Sequence, residues 1–315
     1  MTEHSVREVE HEITVAAPPA DVYRLLAEVE NWPQIFPPSV YVDYLEREGN
    51  EERIRIWATA NGEAKNWKSR RTLDPDKLRI TFWQEVPAPP VAEMSGTWIV
   101  EQLGEQETRL RLLHTYRAID DDPEGLEWIE QAVDSNSKAE LPGLKAGVEN
   151  AVQKDKLSIS FVDSLRISGS AKDVYDFVNE AQLWTERLPH VADVELTEET
   201  PGLQMLRMNT RAKDGSTHTT ESVRVCFPHH RIAYKQTTLP ALMTLHTGRW
   251  DFEEGADGFT TASSQHTVVI NPDNITSILG PEADIVEARE FIRDALGNNS
   301  RATLGHAKDY AEARG

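Results

Sequence analysis

The sequence predicts an α+β protein built twice over. Two tandem domains, residues 1–153 and 154–315, would each wrap a curved seven-stranded antiparallel sheet around a long C-terminal helix and enclose a cavity. The first observation behind this is an internal repeat. Ala20-Asp21-Val22-Tyr23 returns as Lys172-Asp173-Val174-Tyr175, Trp32 as Trp184, Pro37 as Pro189, Gly96-Thr97-Trp98 as Gly248-Arg249-Trp250, and His114-Thr115 as His266-Thr267, all displaced by 152 positions. Ser135-Asn136-Ser137-Lys138-Ala139 is echoed at a larger offset by Asn298-Asn299-Ser300-Arg301-Ala302. One spacing held across so many landmarks means a tandem duplication. The second observation is length: 315 residues are long for one compact domain and comfortable for two. The third is the order of elements, which each copy repeats.

In the first copy a strand over residues 6–15 leads through Pro18-Pro19 into a helix over 20–29. A proline suits the first helical position because its missing N–H would have no partner there. A short second helix over 32–36 ends at Pro37-Pro38. Alternating segments follow, punctuated by Glu48-Gly49-Asn50, Asn61-Gly62, Asp74-Pro75-Asp76, Pro87-Ala88-Pro89-Pro90 and Gly104-Glu105, which predicts six meandering strands. Asn61-Gly62 is a tight-hairpin signal. A long helix over 124–152 closes the copy, and the second copy repeats the order from Lys156 to a helix over 274–313. One strand, two short helices, six strands and a long helix describe a helix-grip fold. The linker, Gln153-Lys154-Asp155-Lys156, is too short for independent tumbling, so the domains are expected to pack together.

Composition excludes several classes of function. Asp and Glu outnumber Lys and Arg by 53 to 33, a formal charge of -20 that repels nucleic acid and anionic lipid. A hydrophobic content of 39% and a mean hydropathy of -0.53 suit a soluble globular protein. The single cysteine, Cys226, cannot form an intrachain disulfide and suits a reducing cytoplasm. No apolar run is long enough to span a bilayer, and residues 1–7 lack the apolar core of a signal peptide. The expectation is a cytoplasmic protein with no nucleic-acid or membrane partner.

Neither a metal constellation, a phosphate-binding glycine loop nor a nucleophile elbow is found, and acids such as Glu149 read as solvated. What remains is a pair of cavities read from strand alternation. In the stretch Lys65-Asn66-Trp67-Lys68-Ser69-Arg70-Arg71, alternation sends Trp67, Ser69 and Arg71 to one face and Lys68 and Arg70 to the other. If that face is inner, Arg71 needs an acid, carbonyls, water or a ligand, because a buried unpaired cation is costly. The inner candidates of the first copy are Trp32, Trp57, Trp67, Ser69, Arg71, Trp83, Trp98 and His114. Each tryptophan also has a simple core reading, Arg71 a structurally paired one, and His114 that of a satisfied core histidine. Counting back from Pro228, which matches Pro75, Arg224 falls opposite Arg71, Ser222 opposite Ser69, Thr220 opposite Trp67 and His218 opposite Lys65. This strand is one residue out of the general offset, so a bulge or longer hairpin is expected at Asp214-Gly215-Ser216.

Asn31-Trp32-Pro33, Trp67-Lys68-Ser69-Arg70-Arg71 followed by Asp74-Pro75, and Gly96-Thr97-Trp98 resemble the aromatase/cyclases of bacterial type II polyketide synthases. The two-copy form is similar to the didomain members. The resemblance implies the START/Bet v1-like helix-grip fold, with Trp67, Ser69 and Arg71 matching the family's pocket residues. Thr220 departs from it where an aromatic is expected. It also implies an activity without a cofactor: first-ring aldol cyclisation and dehydrative aromatisation of a ketoreduced poly-β-ketone. That substrate is carried by an acyl carrier protein, beside a ketoreductase and other synthase components. Arg71 and Arg224 would stabilise an enolate or alkoxide, Ser69 and Ser222 would orient a carbonyl or leaving hydroxyl, and His114 and His266 would move protons. Trp32, Trp67, Trp98, Trp184 and Trp250, with His218, would hold the substrate. Two alternatives stand beside this: a non-catalytic carrier of an apolar lipid or quinone, and one catalytic copy with the other a docking module.

Overall fold

Asn61 and Gly62 both take positive φ, 50° and 81°, the backbone that a two-residue hairpin between right-twisted strands requires. Around such turns each half of the chain winds into one sheet. The structure, a computed structural model, describes residues 6–149, 156–211, 215 and 217–314. Residues 1–5, the linker at 153–155, and the expected irregularity at Asp214 and Ser216 lie outside the described residues.

The first unit runs β1 (Arg7–Val15), α1 (Pro19–Ala27), α2 (Trp32–Ile35), β2 (Ser39–Glu48), β3 (Glu51–Ala60), β4 (Glu63–Asp74), β5 (Arg79–Val86), β6 (Val91–Gly104), β7 (Glu107–Ala118) and α3 (Pro123–Glu149). The second runs β8 (Ser158–Ile167), α4 (Ala171–Asn179), α5 (Trp184–Arg187), β9 (Val191–Thr200), β10 (Leu203–Arg211), β11 (Thr217–Phe227), β12 (Arg231–Thr238), β13 (Met243–Glu254), β14 (Thr260–Ile270), α6 (Ile275–Leu279) and α7 (Ile285–Glu312). The units divide between residues 152 and 153. The sheets have matching orders, β1-β7-β6-β5-β4-β3-β2 and β8-β14-β13-β12-β11-β10-β9, with neighbouring strands antiparallel. The expected α+β helix-grip architecture is therefore present twice.

One expected element differs. The second long helix does not run unbroken from residue 274. A short helix stops at Leu279, Gly280 takes φ 114°, Pro281 follows, and α7 starts afresh at Ile285. Proline cannot continue a hydrogen-bonded helix, and the restart is fixed by a capping box in which Asp284 accepts from the Val286 and Glu287 N–H groups while Glu287 reaches back.

The concave sheet faces and helix stripes make the cores. Val15, Leu26, Ile54, Leu110, Leu112 and Leu144 are fully buried in the first unit, and Ile167, Val174, Val178, Ile232, Ala262 and Ala307 in the second. Each large aliphatic side chain so buried stabilises the fold by about 1.5–3 kcal/mol. Two glycines settle the cavity wall. A Cβ on Gly96 would strike the Phe82 ring and the Leu113 carbonyl; one on Gly248 would strike the Tyr234 hydroxyl and the Gln265 carbonyl. Each glycine is thus a seat for an aromatic ring from the neighbouring strand, directly paired with it in the sheet.

Candidate functional site

Between helix and sheet each unit keeps a cavity of about 140 Å³. Trp32, Trp67, Ser69, Arg71, Trp98 and His114 all line the first; Trp184, His218, Ser222, Arg224, Trp250 and His266 all line the second. Two further expectations fail. Trp83 is 41% exposed, and Trp57, though buried, packs with Tyr41 and under Arg55 away from the cavity. The physical reason is strand parity: Ile54, Ile56 and Ala58 face the cavity on β3, and Phe82 and Gln84 on β5, so the residues between them face outward. Thr220 lines the second cavity where Trp67 lines the first, leaving more of that wall to Met208 and Leu206.

The pairing of Arg71 with Arg224 is confirmed by register. Arg71 lies between Glu52 and Phe82, Arg224 between Gln204 and Tyr234. Their surroundings differ sharply. Arg71, 2% exposed, donates from Nε (3.1 Å) and Nη2 to the Glu52 carboxylate, from Nη1 to the Leu26 carbonyl (2.9 Å), and from Nη2 to the Ala27 carbonyl (2.7 Å), with its plane over Trp32. It is a neutralised ion pair that also ties down the last carbonyls of α1. Ser69 donates its hydroxyl to the Trp83 carbonyl at 2.9 Å, so it offers the cavity only an acceptor.

Arg224, 3% exposed, keeps the same helix contact, from Nη2 to the Val178 carbonyl (2.7 Å), and the same stacking over Trp184. Its acid has gone. Gln204 stands where Glu52 stands, its amide turned to Glu198 (2.7 Å) and Asn179, and among the described residues no carboxylate pairs with Arg224. Arg224 Nη1 is buried without a hydrogen-bond partner.

The rest of the walls diverge in the same sense. In the first cavity His114 meets the edge of Phe82, its Nδ1 is unpartnered, and burial pulls its pKa down to about 4. Glu140, on α3 and facing the cavity, has its carboxyl pushed up to about 8 by burial, so it is protonated at neutral pH. In the second cavity Tyr234 replaces Phe82 and His246 replaces Met94. Tyr234 Oη lies 3.0 Å from His266 Nδ1 and 3.3 Å from His246 Nε2, which is itself 2.9 Å from His266 Nδ1. His266 Nε2 continues to Ser300 Oγ at 2.6 Å and Ser264 Oγ at 3.1 Å. Burial pulls His246 down to about 3 and His266 to about 4, so both are neutral at pH 7, and each ring offers one donor and one acceptor nitrogen.

Sequence reasoning missed Glu52, Glu140, Tyr234, His246, Ser264 and Ser300. Glu140 had a signal: with Ile129, Val133, Asn136 and Ser137 it continues the inward stripe of α3 at helical spacing. Among the described residues no group of three or more His, Cys, Asp or Glu is placed to hold a metal ion. Glu149 is not simply solvated; it accepts from the Ala16 N–H and from Lys145.

Fold and site together define a protein with two internal, mostly apolar cavities, each carrying buried acid–base groups and an arginine on its wall. Residues 6–149 and 167–287 match two family models, both described as polyketide cyclase / dehydrase and lipid transport. The chain is 51% identical, over 95% of its length and 98% of the relative's, to the granaticin polyketide synthase bifunctional cyclase/dehydratase of Streptomyces virginiae. The crystal structure of the di-domain ARO/CYC BexL from the BE-7585A biosynthetic pathway superposes with a TM-score of 0.87 at 67% identity, covering 98% of this chain and all of that one. The di-domain ARO/CYC StfQ from the steffimycin pathway gives 0.83 at 34% identity, covering 97% and 99%. The chain belongs to the family of polyketide cyclase/dehydratases, in its two-domain form.

Proposed function

We propose that this protein is a polyketide aromatase/cyclase: it directs the first-ring aldol cyclisation of a ketoreduced, carrier-protein-bound poly-β-ketone and the loss of water that makes the ring aromatic. The observation that carries the reading is the first cavity, walled by Trp32, Trp67, Phe82 and Trp98 and holding a neutral histidine and a protonated carboxylic acid. An apolar cavity with a few polar groups suits a long, flexible ketone chain, selecting one register by holding the reacting carbons within attack distance. In the aldol step an α-carbon loses a proton, for which neutral His114 is the acceptor, and the new C–C bond leaves an alkoxide. Glu140, kept protonated by burial, donates to that oxygen. Arg71, its charge compensated by Glu52, fixes α1 and Trp32 around this end and contributes shape more than free charge.

Work beside a ketoreductase and other synthase components belongs to the same proposal, supported by the relatives' names. So does a cytoplasmic location; among the described residues no helix is long and apolar enough to cross a membrane. The test is reconstitution with a minimal synthase and ketoreductase. Wild-type protein should divert the linear chain from shunt products to one aromatised ring, and Glu140→Gln should lower the ratio of aromatised to shunt product by about tenfold, the usual loss for a proton donor being at least that. A carrier of lipid or quinone would leave the ratio unchanged in both.

A further inference from the structure

The second cavity is built for proton transfer in a way the first is not. Tyr234, His246, Ser264 and Ser300 bring Oη, Nε2 and two Oγ atoms into one hydrogen-bonded chain through His266. Their first-cavity counterparts are Phe82, Met94, Leu112 and Ser137, the first three paired in the sheet at the same places. Ser137 Oγ has no partner, so there the chain is cut at both ends. Beside the chain, on the same cavity wall, sits Arg224, whose buried Nη1 has no hydrogen-bond partner among the described residues. A buried guanidinium lacking both an acid and a full set of acceptors is costly unless a ligand oxygen completes it.

We infer that the second cavity is a separate active site that eliminates water from the β-hydroxy ketone of a newly closed ring, Arg224 holding the ketone oxygen and the Tyr234–His246–His266–Ser300 chain carrying the proton. This rests on the cyclase/dehydratase reading above and assigns its dehydration half to the second domain. The step balances without an oxidant or reductant. The carbon between carbonyl and carbinol gives its proton to the Tyr234–His cluster, and its bonding pair makes an enolate whose oxygen faces Arg224 Nη1. The enolate pair then returns to form the carbon–carbon double bond as the carbinol C–O bond breaks. Ser300 protonates the departing oxygen and is reprotonated by His266 Nε2, which has received the first proton through the imidazoles. One water leaves.

The experiment uses the full-length chain with two substrates: the linear chain made by a reconstituted synthase and ketoreductase, and a synthetic six-membered β-hydroxy ketone borne on a pantetheine thioester. The variants are Tyr234→Phe and the double variant Tyr234→Phe/His246→Met. Both install residues that already stand at the matching positions of the first cavity, Phe82 over Gly96 and Met94 two residues before it, and thermal unfolding checks that they fold. The expected result is that wild-type protein dehydrates the ring probe, that the double variant does so at least tenfold more slowly, and that with the linear chain it accumulates a cyclised, still hydroxylated ring rather than uncyclised shunt products. Should the double variant fail to fold, the Tyr234→Phe protein is read in the same way, with a smaller loss. Equal dehydration by folded variant and wild type overturns the inference. So does a uniform fall in flux with no change in the ratio of hydroxylated to aromatic ring. Wild-type protein that aromatises the linear chain yet ignores the ring probe also overturns it and leaves the cyclase reading standing. Wild-type protein that acts on neither substrate sinks the cyclase reading itself.

Discussion

The two cavities share a plan and differ in where they keep charge. In the first, the arginine is ion-paired with Glu52, the aromatic over the glycine is a hydrocarbon ring, and the other titratable groups on the wall are His114, Lys65 and the protonated Glu140. In the second, no carboxylate pairs with the arginine among the described residues, the ring carries a hydroxyl, and of two linked histidines one is bonded to serines. Duplication preserved the scaffold contact, a guanidinium tied to the end of α1 or α4 and stacked on a tryptophan, and let the surroundings of that guanidinium diverge. An arginine in the same place on two sheets is therefore not the same chemical group twice.

The largest expected effect tests that asymmetry. Arg71→Ala leaves the buried Glu52 carboxylate with only Arg47, a mostly exposed partner at 3.1 Å, and should destabilise the first domain by about 3 kcal/mol. Arg224→Ala strands no acid and should cost about half as much, read as separate midpoints in denaturant unfolding. Loss of equal size in both would mean that Arg224 has a counter-charge after all.

Acid separates the domains next. His246 and His266 have folded pKa values far below the unfolded value of about 6.5, so the unfolded state binds more protons between roughly pH 6.5 and 4. Stability from their neutral burial is present above pH 6.5 and is lost as pH falls through that window. Glu140 runs the other way: its folded pKa, about 8, exceeds the ordinary 4.5, so its share of stability is present below pH 4.5 and is lost as pH rises toward 8. Between pH 6.5 and 5 the second domain, with two such histidines against the first domain's His114, should lose about 1–2 kcal/mol more protection in hydrogen exchange resolved by peptide. Glu140→Gln removes the opposite trend and should raise the first domain's stability at pH 8 by roughly 1–2 kcal/mol.

A small change in stability, about 1–2 kcal/mol, is expected for Gln204→Glu, which gives Arg224 the acid that Arg71 has but removes the amide from which Glu198 accepts. Its product assay should nonetheless shift toward hydroxylated rings, because the cation it quenches is the one left open to a ligand. Unchanged aromatisation in a folded Gln204→Glu protein would remove free charge from the account of the second site.

Much of this was legible in the sequence. The duplication, every strand-ending turn of the first copy, and the matched Ser69/Arg71 and Ser222/Arg224 pairs follow from spacing and alternation alone. The failures have physical causes. Alternation read from the sequence puts Trp57 and Trp83 on the inner face, yet the parity of β3 and β5 in the folded sheet gives those places to Ile56 and Phe82. Gly280-Pro281 breaks a helix that residue pattern alone carried through. Glu52 was invisible because it is an acid on an alternating strand, and only pairing across β3 and β4 puts it against Arg71. The Tyr234–His246–His266 cluster joins β12, β13 and β14, and no spacing within one strand announces a contact among three.

Gly96 and Gly248 remain. By having no side chain, each makes room for a ring from the next strand whose far edge reaches the histidine, as Phe82 does to His114 and Tyr234 to His266. In evolutionary terms this is a socket. Exchanging one ring for the other adds or removes a single oxygen at the cavity wall while the backbone, already shaped for the ring, need not move. A duplicated scaffold with such a socket can acquire acid–base chemistry in one copy by one substitution, with the other copy still holding the original shape.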